Sequence, residues 1–104
     1  MTTRIPVSEA EFTDSVIALA QLKGWRVAHF RPARTIKGWR TPVQGDSGFP
    51  DLVLARDGRV IFAELKVGRG KLRKEQEEWQ EAMGGQVYVW RPENLRTEIL
   101  DALR

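Results

Sequence analysis

Apolar residues near the start of the chain recur at three- and four-residue steps, at Phe12, Val16, Leu19 and Ala20. That is the spacing of one buried helix face, so a helix is predicted over 8–23. Ser8 is placed to cap its first turn with Glu11 as capping-box partner, and Gly24 to end it. Residues 25–30 alternate and carry Trp25, Val27 and Phe30, which predicts a strand. Two further apolar runs, 51–56 and 59–66, flank Asp57-Gly58, a pair that favours a tight hairpin turn. Over 72–83 the pattern returns to helical. Leu72, Trp79 and Met83 lie close to one face, and Glu75, Glu77, Glu78 and Glu81 lie outside it. Gly84-Gly85 ends that helix and 86–90 reads as a fourth strand. Pro92 is well placed near the start of a last helix to about Leu103, with Leu95, Ile99 and Leu103 four apart. Residues 31–49 hold three glycines and two prolines and are predicted to be a long loop. A loop of that length in a small domain signals function or mobility.

The element order is therefore αβββαβα. A hairpin followed by a crossover helix places the fourth strand parallel to the third, giving a mixed four-stranded sheet flanked by helices, of the α/β class. The 104 residues fit one domain. Residues 1–7 are expected to form a flexible N-terminus.

Composition narrows the chemistry. There is no cysteine and a single histidine, His29. Thiolate zinc sites, cysteine nucleophiles and multi-histidine metal sites are excluded. A metal here would be held mainly by oxygen, which favours Mg²⁺ or Mn²⁺. No organic cofactor is expected. No apolar run approaches the ~20 residues of a membrane span, and residues 1–8 lack a signal-like apolar stretch, so the cytoplasm is the simplest location. The formal charge is only +3, but its distribution is uneven. Arg31, Arg34, Lys37 and Arg40 form one acid-free group, with Trp39 among them. Lys66, Arg69, Lys71, Arg73 and Lys74 form a second. Such clusters suit a polyanion such as DNA, with Trp39 able to stack on bases. Solvated loops, and a Trp39 tucked against its own domain or a second subunit, are the alternative reading.

The hairpin makes the chemistry specific. Asp51 opens one strand, and Glu64 and Lys66 close the other. An antiparallel turn at Asp57-Gly58 brings these ends side by side, and Glu64 and Lys66 share a face. Two converging carboxylates repel unless a cation sits between them. A divalent ion would resolve this and would also activate phosphodiester hydrolysis, with Lys66 to orient water or offset developing charge. Glu-x-Lys alone also fits a surface ion pair, either internal or to Arg56.

Phe49-Pro50-Asp51 followed by Ala63-Glu64-Leu65-Lys66 resembles the PD-(D/E)xK nuclease signature. The wider pattern is similar to the VRR-NUC branch of that superfamily. It runs from Ser8-Glu9-Ala10-Glu11-Phe12, Gly24-Trp25 and His29 through Gly48-Phe49-Pro50-Asp51-Leu52-Val53-Leu54. It continues with Phe62-Ala63-Glu64-Leu65-Lys66, Gln76 with Trp79, and Val87-Tyr88-Val89-Trp90-Arg91-Pro92. The resemblance implies a single restriction-endonuclease-like domain over 1–104. It implies a Mg²⁺- or Mn²⁺-dependent endonuclease acting on DNA. Asp51, Glu64 and the Leu65 carbonyl would hold the metal and Lys66 would be the catalytic lysine. A first-helix glutamate would complete the acidic site, and Gln76 would reach in from the second helix. Of Glu9 and Glu11, Glu9 is favoured because it shares the face of Phe12 and Val16, while Glu11 is also the capping partner of Ser8. On periodicity alone Gln76 is a surface residue. Thr13 departs from the family pattern, where glutamine is frequent. His29 is either a phosphate contact or a packed strand residue. Arg31, Arg34, Lys37, Trp39, Arg40, Arg69, Lys71 and Lys74 are the expected DNA contacts. A domain too small for a separate recognition module points to branched or junction DNA, Holliday junctions included. Cutting a symmetric substrate is most simply done by a homodimer. A catalytically weak binding module of the same fold, working with a partner, is the alternative.

Overall fold

Asp57 and Gly58 both take left-handed backbone angles, φ 50° and 80°. These are the two positive values a type I′ turn requires, and they let the strands on either side keep their natural twist. Arg56 and Arg59 pair directly across the turn. In the computed structural model, which describes residues 8–30, 33–36, 38–41 and 43–104, this hairpin is the centre of the fold. The elements are α1 (Glu9–Leu22), β1 (Arg26–His29), β2 (Ala33–Thr35), β3 (Gly38–Arg40), β4 (Leu52–Arg56), β5 (Arg59–Leu65), α2 (Lys74–Ala82) and β6 (Val87–Trp90). A helical segment over 92–102 follows. The main sheet has the order β1-β4-β5-β6, with β1, β4 and β5 antiparallel and β6 parallel to β5. The crossover through α2 thus produces the mixed sheet expected.

Alternation along β5 sends Ile61, Ala63 and Leu65 to one face and Phe62 and Glu64 to the other. The first face packs with Leu52 and Leu54 of β4 against Phe12, Val16 and Ala20 of α1, all fully buried. Trp25, Trp90, Ile99 and Leu103 close this core. On the second face, Phe62 meets Phe49, which in turn meets Trp79 of α2. Helices therefore cover both faces of the hairpin.

Local chemistry accounts for the element ends. The Ser8 hydroxyl accepts the Glu11 N–H at 3.0 Å, the cap predicted for α1. The helix stops where Gly24 turns at φ 84°. Trp25 stays outside β1, its backbone N–H donating to the Ala20 carbonyl of α1 at 3.0 Å while its indole N–H donates to the Leu103 carbonyl at 2.9 Å. Arg56 and Arg59 stack on the same indole, 4.6 and 5.0 Å from its centroid, and donate to carbonyls of residues 102–104. α2 begins at Lys74, two residues later than expected. The Gln76 side chain reaches back to accept the Arg73 N–H at 2.9 Å and so defines the first turn there.

Two expectations are corrected. Residues 31–49 are not all loop, since Ala33–Thr35 and Gly38–Arg40 pair as an antiparallel two-stranded sheet. Three-residue strands are too short to show alternation in sequence. The last helix is not uniform either. It runs as a 3₁₀ turn (Pro92–Asn94), a wide π turn (Leu95–Ile99) and one α turn (Leu100–Ala102). Pro92 has no N–H to give, and Asn94 accepts the Arg91 N–H at 2.9 Å, which tightens the start. Ile99 and Leu103 are still fully buried, with Leu95 packed beside them. Residues 1–7 lie outside the described residues.

Candidate active site

Asp51 stands one residue before β4, where its carbonyl accepts the Phe30 N–H at 3.0 Å. The register Leu52↔Ala63 places it beside Glu64. Two bonds then join the strand ends reciprocally. Glu64 Oε1 accepts the Asp51 N–H at 3.1 Å, and Asp51 Oδ2 accepts the Leu65 N–H at 2.8 Å. Each carboxylate is thus aimed by a backbone amide of the opposite strand.

The approach to Asp51 is equally constrained. Gly48 has φ 94°, and a Cβ there would lie 2.6 Å from the Glu75 carbonyl carbon. Only glycine permits so close a contact with the first turn of α2. The Trp79 indole N–H donates to the carbonyls of Asp46 and Ser47, at 3.3 and 3.0 Å. Phe49 sits edge-to-face against Phe30, Phe62 and Trp79, with centroids 5.4, 6.1 and 5.0 Å away. Pro50 is buried. Residues 46–50 are therefore locked between the sheet and α2, and Asp51 is their outlet.

Glu64 is 1% exposed, and its second oxygen, Oε2, is buried with no hydrogen-bond partner. An unpaired buried carboxylate oxygen is costly. The acid responds by holding its proton: burial foremost, then the Asp51 carboxylate, pushes its pKa up to about 8, while Lys66 opposes the rise. This environment rules out the surface ion-pair reading. Among the described residues no cation lies within ion-pair distance of Glu64, and Arg56 is committed to the carbonyls of Lys23 and Leu103 and to Asp57.

Lys66 follows β5 directly and is half-buried. Its N–H donates to the Trp90 carbonyl at 3.0 Å, tying it to the end of β6. The Leu65 side chain is in the core, as expected. Gln76 is 5% exposed, not the surface residue its periodicity indicates, because the first turn of α2 lies against the locked segment at Gly48. Glu9 is exposed and does not gather with Asp51 and Glu64. Among the described residues no three His, Asp or Glu side chains form a metal-holding group. The buried polar position of α1 is Thr13, whose hydroxyl bonds back to the Glu9 carbonyl at 2.8 Å. His29 pairs with Leu52 and so shares its face, opposite that of Glu64. Arg69, Lys71 and Lys74 are exposed. Arg31 and Lys37, and the side chains of Arg34, Trp39 and Arg40, lie outside the described residues.

Compared with protein-family models, with curated proteins and with solved structures, the chain has no match.

The residues fit a hard cation. Two carboxylates lie side by side at the strand ends, one of them with an orphaned oxygen, and Lys66 is near enough to oppose the rise in the Glu64 pKa. A divalent ion would satisfy that oxygen and cancel the repulsion. Sequence reading missed the residues that set this geometry, namely Trp79 through its indole N–H and Arg91, which donates to the Gly68 and Gly70 carbonyls. The Trp79 bond has a sequence signal only in retrospect, in the glycine-rich segment it holds. The Arg91 contact has none.

Proposed function

We propose that the protein is a divalent-metal-dependent endonuclease that hydrolyses DNA phosphodiester bonds. The observation that carries this reading is the buried Glu64 with its unsatisfied Oε2, set beside a half-buried Asp51 by the Asp51 N–H to Glu64 Oε1 and Leu65 N–H to Asp51 Oδ2 bonds. Asp51 and Glu64, with the Leu65 carbonyl, are the residues to hold Mg²⁺ or Mn²⁺. When bound, the ion supplies polarisation of a phosphoryl oxygen and acidification of water. Asp51 and Glu64 contribute orientation, since backbone amides fix both before any substrate arrives. Lys66 sets a positive charge beside them, placed to steady the charge that grows on the phosphate. Gln76 contributes a buried amide on the side of α2.

The chain order α1, β1, β4, β5, α2, β6 and the last helical segment supports reading the domain as restriction-endonuclease-like, with β2–β3 then an insertion. Both basic clusters would contact the DNA backbone: Arg31, Arg34, Lys37, Trp39 and Arg40 from the insertion, and Arg69, Lys71 and Lys74 beyond Lys66. One site per chain favours a homodimer acting on branched DNA such as a four-way junction, with the cytoplasm as the proposed location.

The test is cleavage of labelled duplex, flap and four-way-junction DNA in Mg²⁺, Mn²⁺ or EDTA. Asp51→Ala and Lys66→Ala are each expected to lower cleavage on the order of a hundredfold or more. Unaltered cutting by both variants would remove the site. Binding without any cutting in Mn²⁺ would make the chain a binding module of the same fold. Elution at one 11.9 kDa chain, rather than two, would remove the dimer.

A further inference from the structure

The segment immediately after Lys66 is short, glycine-rich and basic, yet it is pinned. The Gly70 N–H closes a turn onto the Val67 carbonyl at 3.0 Å, and Gly68 takes φ 57°. Val67 packs against the core. Across the strand end, Arg91 donates from Nη2 to the Gly70 carbonyl at 2.7 Å and from Nη1 to the Gly68 carbonyl at 3.4 Å. Its neighbour Trp90 accepts the Lys66 N–H. The end of β6 therefore holds residues 66–70 by three bonds, two of them from one guanidinium. Among the described residues no carboxylate ion-pairs with Arg91. Its charge goes to the two carbonyls alone, and a charge-assisted bond is the stronger kind.

We infer that Arg91 is a positioning residue that fixes the Val67–Gly70 turn. It thereby sets Lys66 at the scissile phosphate and Arg69 and Lys71 along the flanking backbone. This rests on the nuclease reading above. The planar fork of arginine reaches two carbonyls in one fixed geometry, whereas a lysine ammonium is a point charge. Without the clamp, the turn keeps one internal hydrogen bond and samples open states. Lys66 would still be present but less often in register with its substrate.

The experiment compares wild type with Arg91→Ala and Arg91→Lys. Trypsin cleavage after Arg69 and Lys71, followed by mass spectrometry, reads the turn without any DNA. Both variants are expected to be cut there several times faster than wild type. In cleavage assays kcat is expected to fall on the order of ten- to a hundredfold, with a smaller change in KM. Guanidinium at sub-denaturing concentration is expected to restore part of the Arg91→Ala turnover, measured against equal sodium chloride. A merely structural role would not produce that rescue. If Arg91→Ala fails to fold, Arg91→Lys carries the test. Wild-type trypsin resistance with wild-type kcat in the folded variant would overturn the inference. Absence of DNA cutting by wild type itself would overturn the nuclease reading, and the trypsin result would still report on the clamp.

Discussion

Glu64 is where the chemistry of a single residue becomes measurable without a substrate. In the unfolded chain it ionises near its ordinary value of 4.5, and in the folded protein it keeps its proton to about pH 8. Between those values folding takes up a proton, so stability declines as pH rises from about 5 to 8, with the loss complete above the folded value. In metal-free buffer the melting temperature is expected to be lower at pH 8 than at pH 5, measured by calorimetry. Glu64→Gln keeps the shape and removes the charge. It is expected to flatten that dependence and to melt higher than wild type at pH 8, while abolishing cleavage. Mg²⁺ or Mn²⁺ at ten times its Kd stabilises by about 1.4 kcal/mol, worth roughly 6 °C or more in a domain this size. Wild type should show that rise at pH 8 and Glu64→Gln should not. A pH-independent wild-type melting temperature would mean that Glu64 is not held as described.

At the scale of elements, the site depends on how residues 46–50 meet α2. Gly48 touches the Glu75 backbone, and Trp79 and Phe49 hold the segment on either side. Gly48→Ala would place a methyl group inside that contact and force a left-handed φ on alanine. The expected cost is about 2 kcal/mol or more, read as a lower urea midpoint with little change in m. Cleavage should fall as well, because Asp51 is three residues away on the same locked strand entry. Wild-type stability in this variant would show that the close approach is not required. The sequence motif Gly48-Phe49-Pro50-Asp51 was legible as a unit. Its reason was not, because the partner that demands glycine lies in a helix twenty-seven positions on. The same holds for Gln76. Its helical phase points outward, and only the docking of Gly48 onto the first turn of α2 buries it.

Across the whole molecule, charge is separated by function. Of the acids that matter, Glu64 is buried and Asp51 half-buried at the strand ends, while Arg69, Lys71, Arg73 and Lys74 stand exposed beyond them. If these bases neutralise phosphates, affinity for duplex DNA should fall with salt, the slope of log K against log salt changing by about 0.9 for each contact. Lys71→Ala with Lys74→Ala is expected to weaken binding in Ca²⁺ and to make that slope shallower by roughly 1 to 2, measured by fluorescence anisotropy. An unchanged slope would place the DNA elsewhere on the molecule.

Periodicity and turn chemistry by themselves determined α1, α2, the four strands of the main sheet, the hairpin and the parallel return of β6. They did so because each depends on residues a few positions apart: Phe12 with Val16, Asp57 with Gly58, Ser8 with Glu11. They also placed Asp51 beside Glu64, since a two-residue turn leaves one register. What they could not carry was environment. That Glu64 is buried with one oxygen unsatisfied, that Arg56 is spent on the carbonyls of residues 23, 103 and 104 rather than on Glu64, and that Arg91 grips Gly68 and Gly70 were decided only by the tertiary structure. Desolvation and hydrogen-bond pairing depend on what surrounds a group in space, and those neighbours come from strands and helices far apart along the chain.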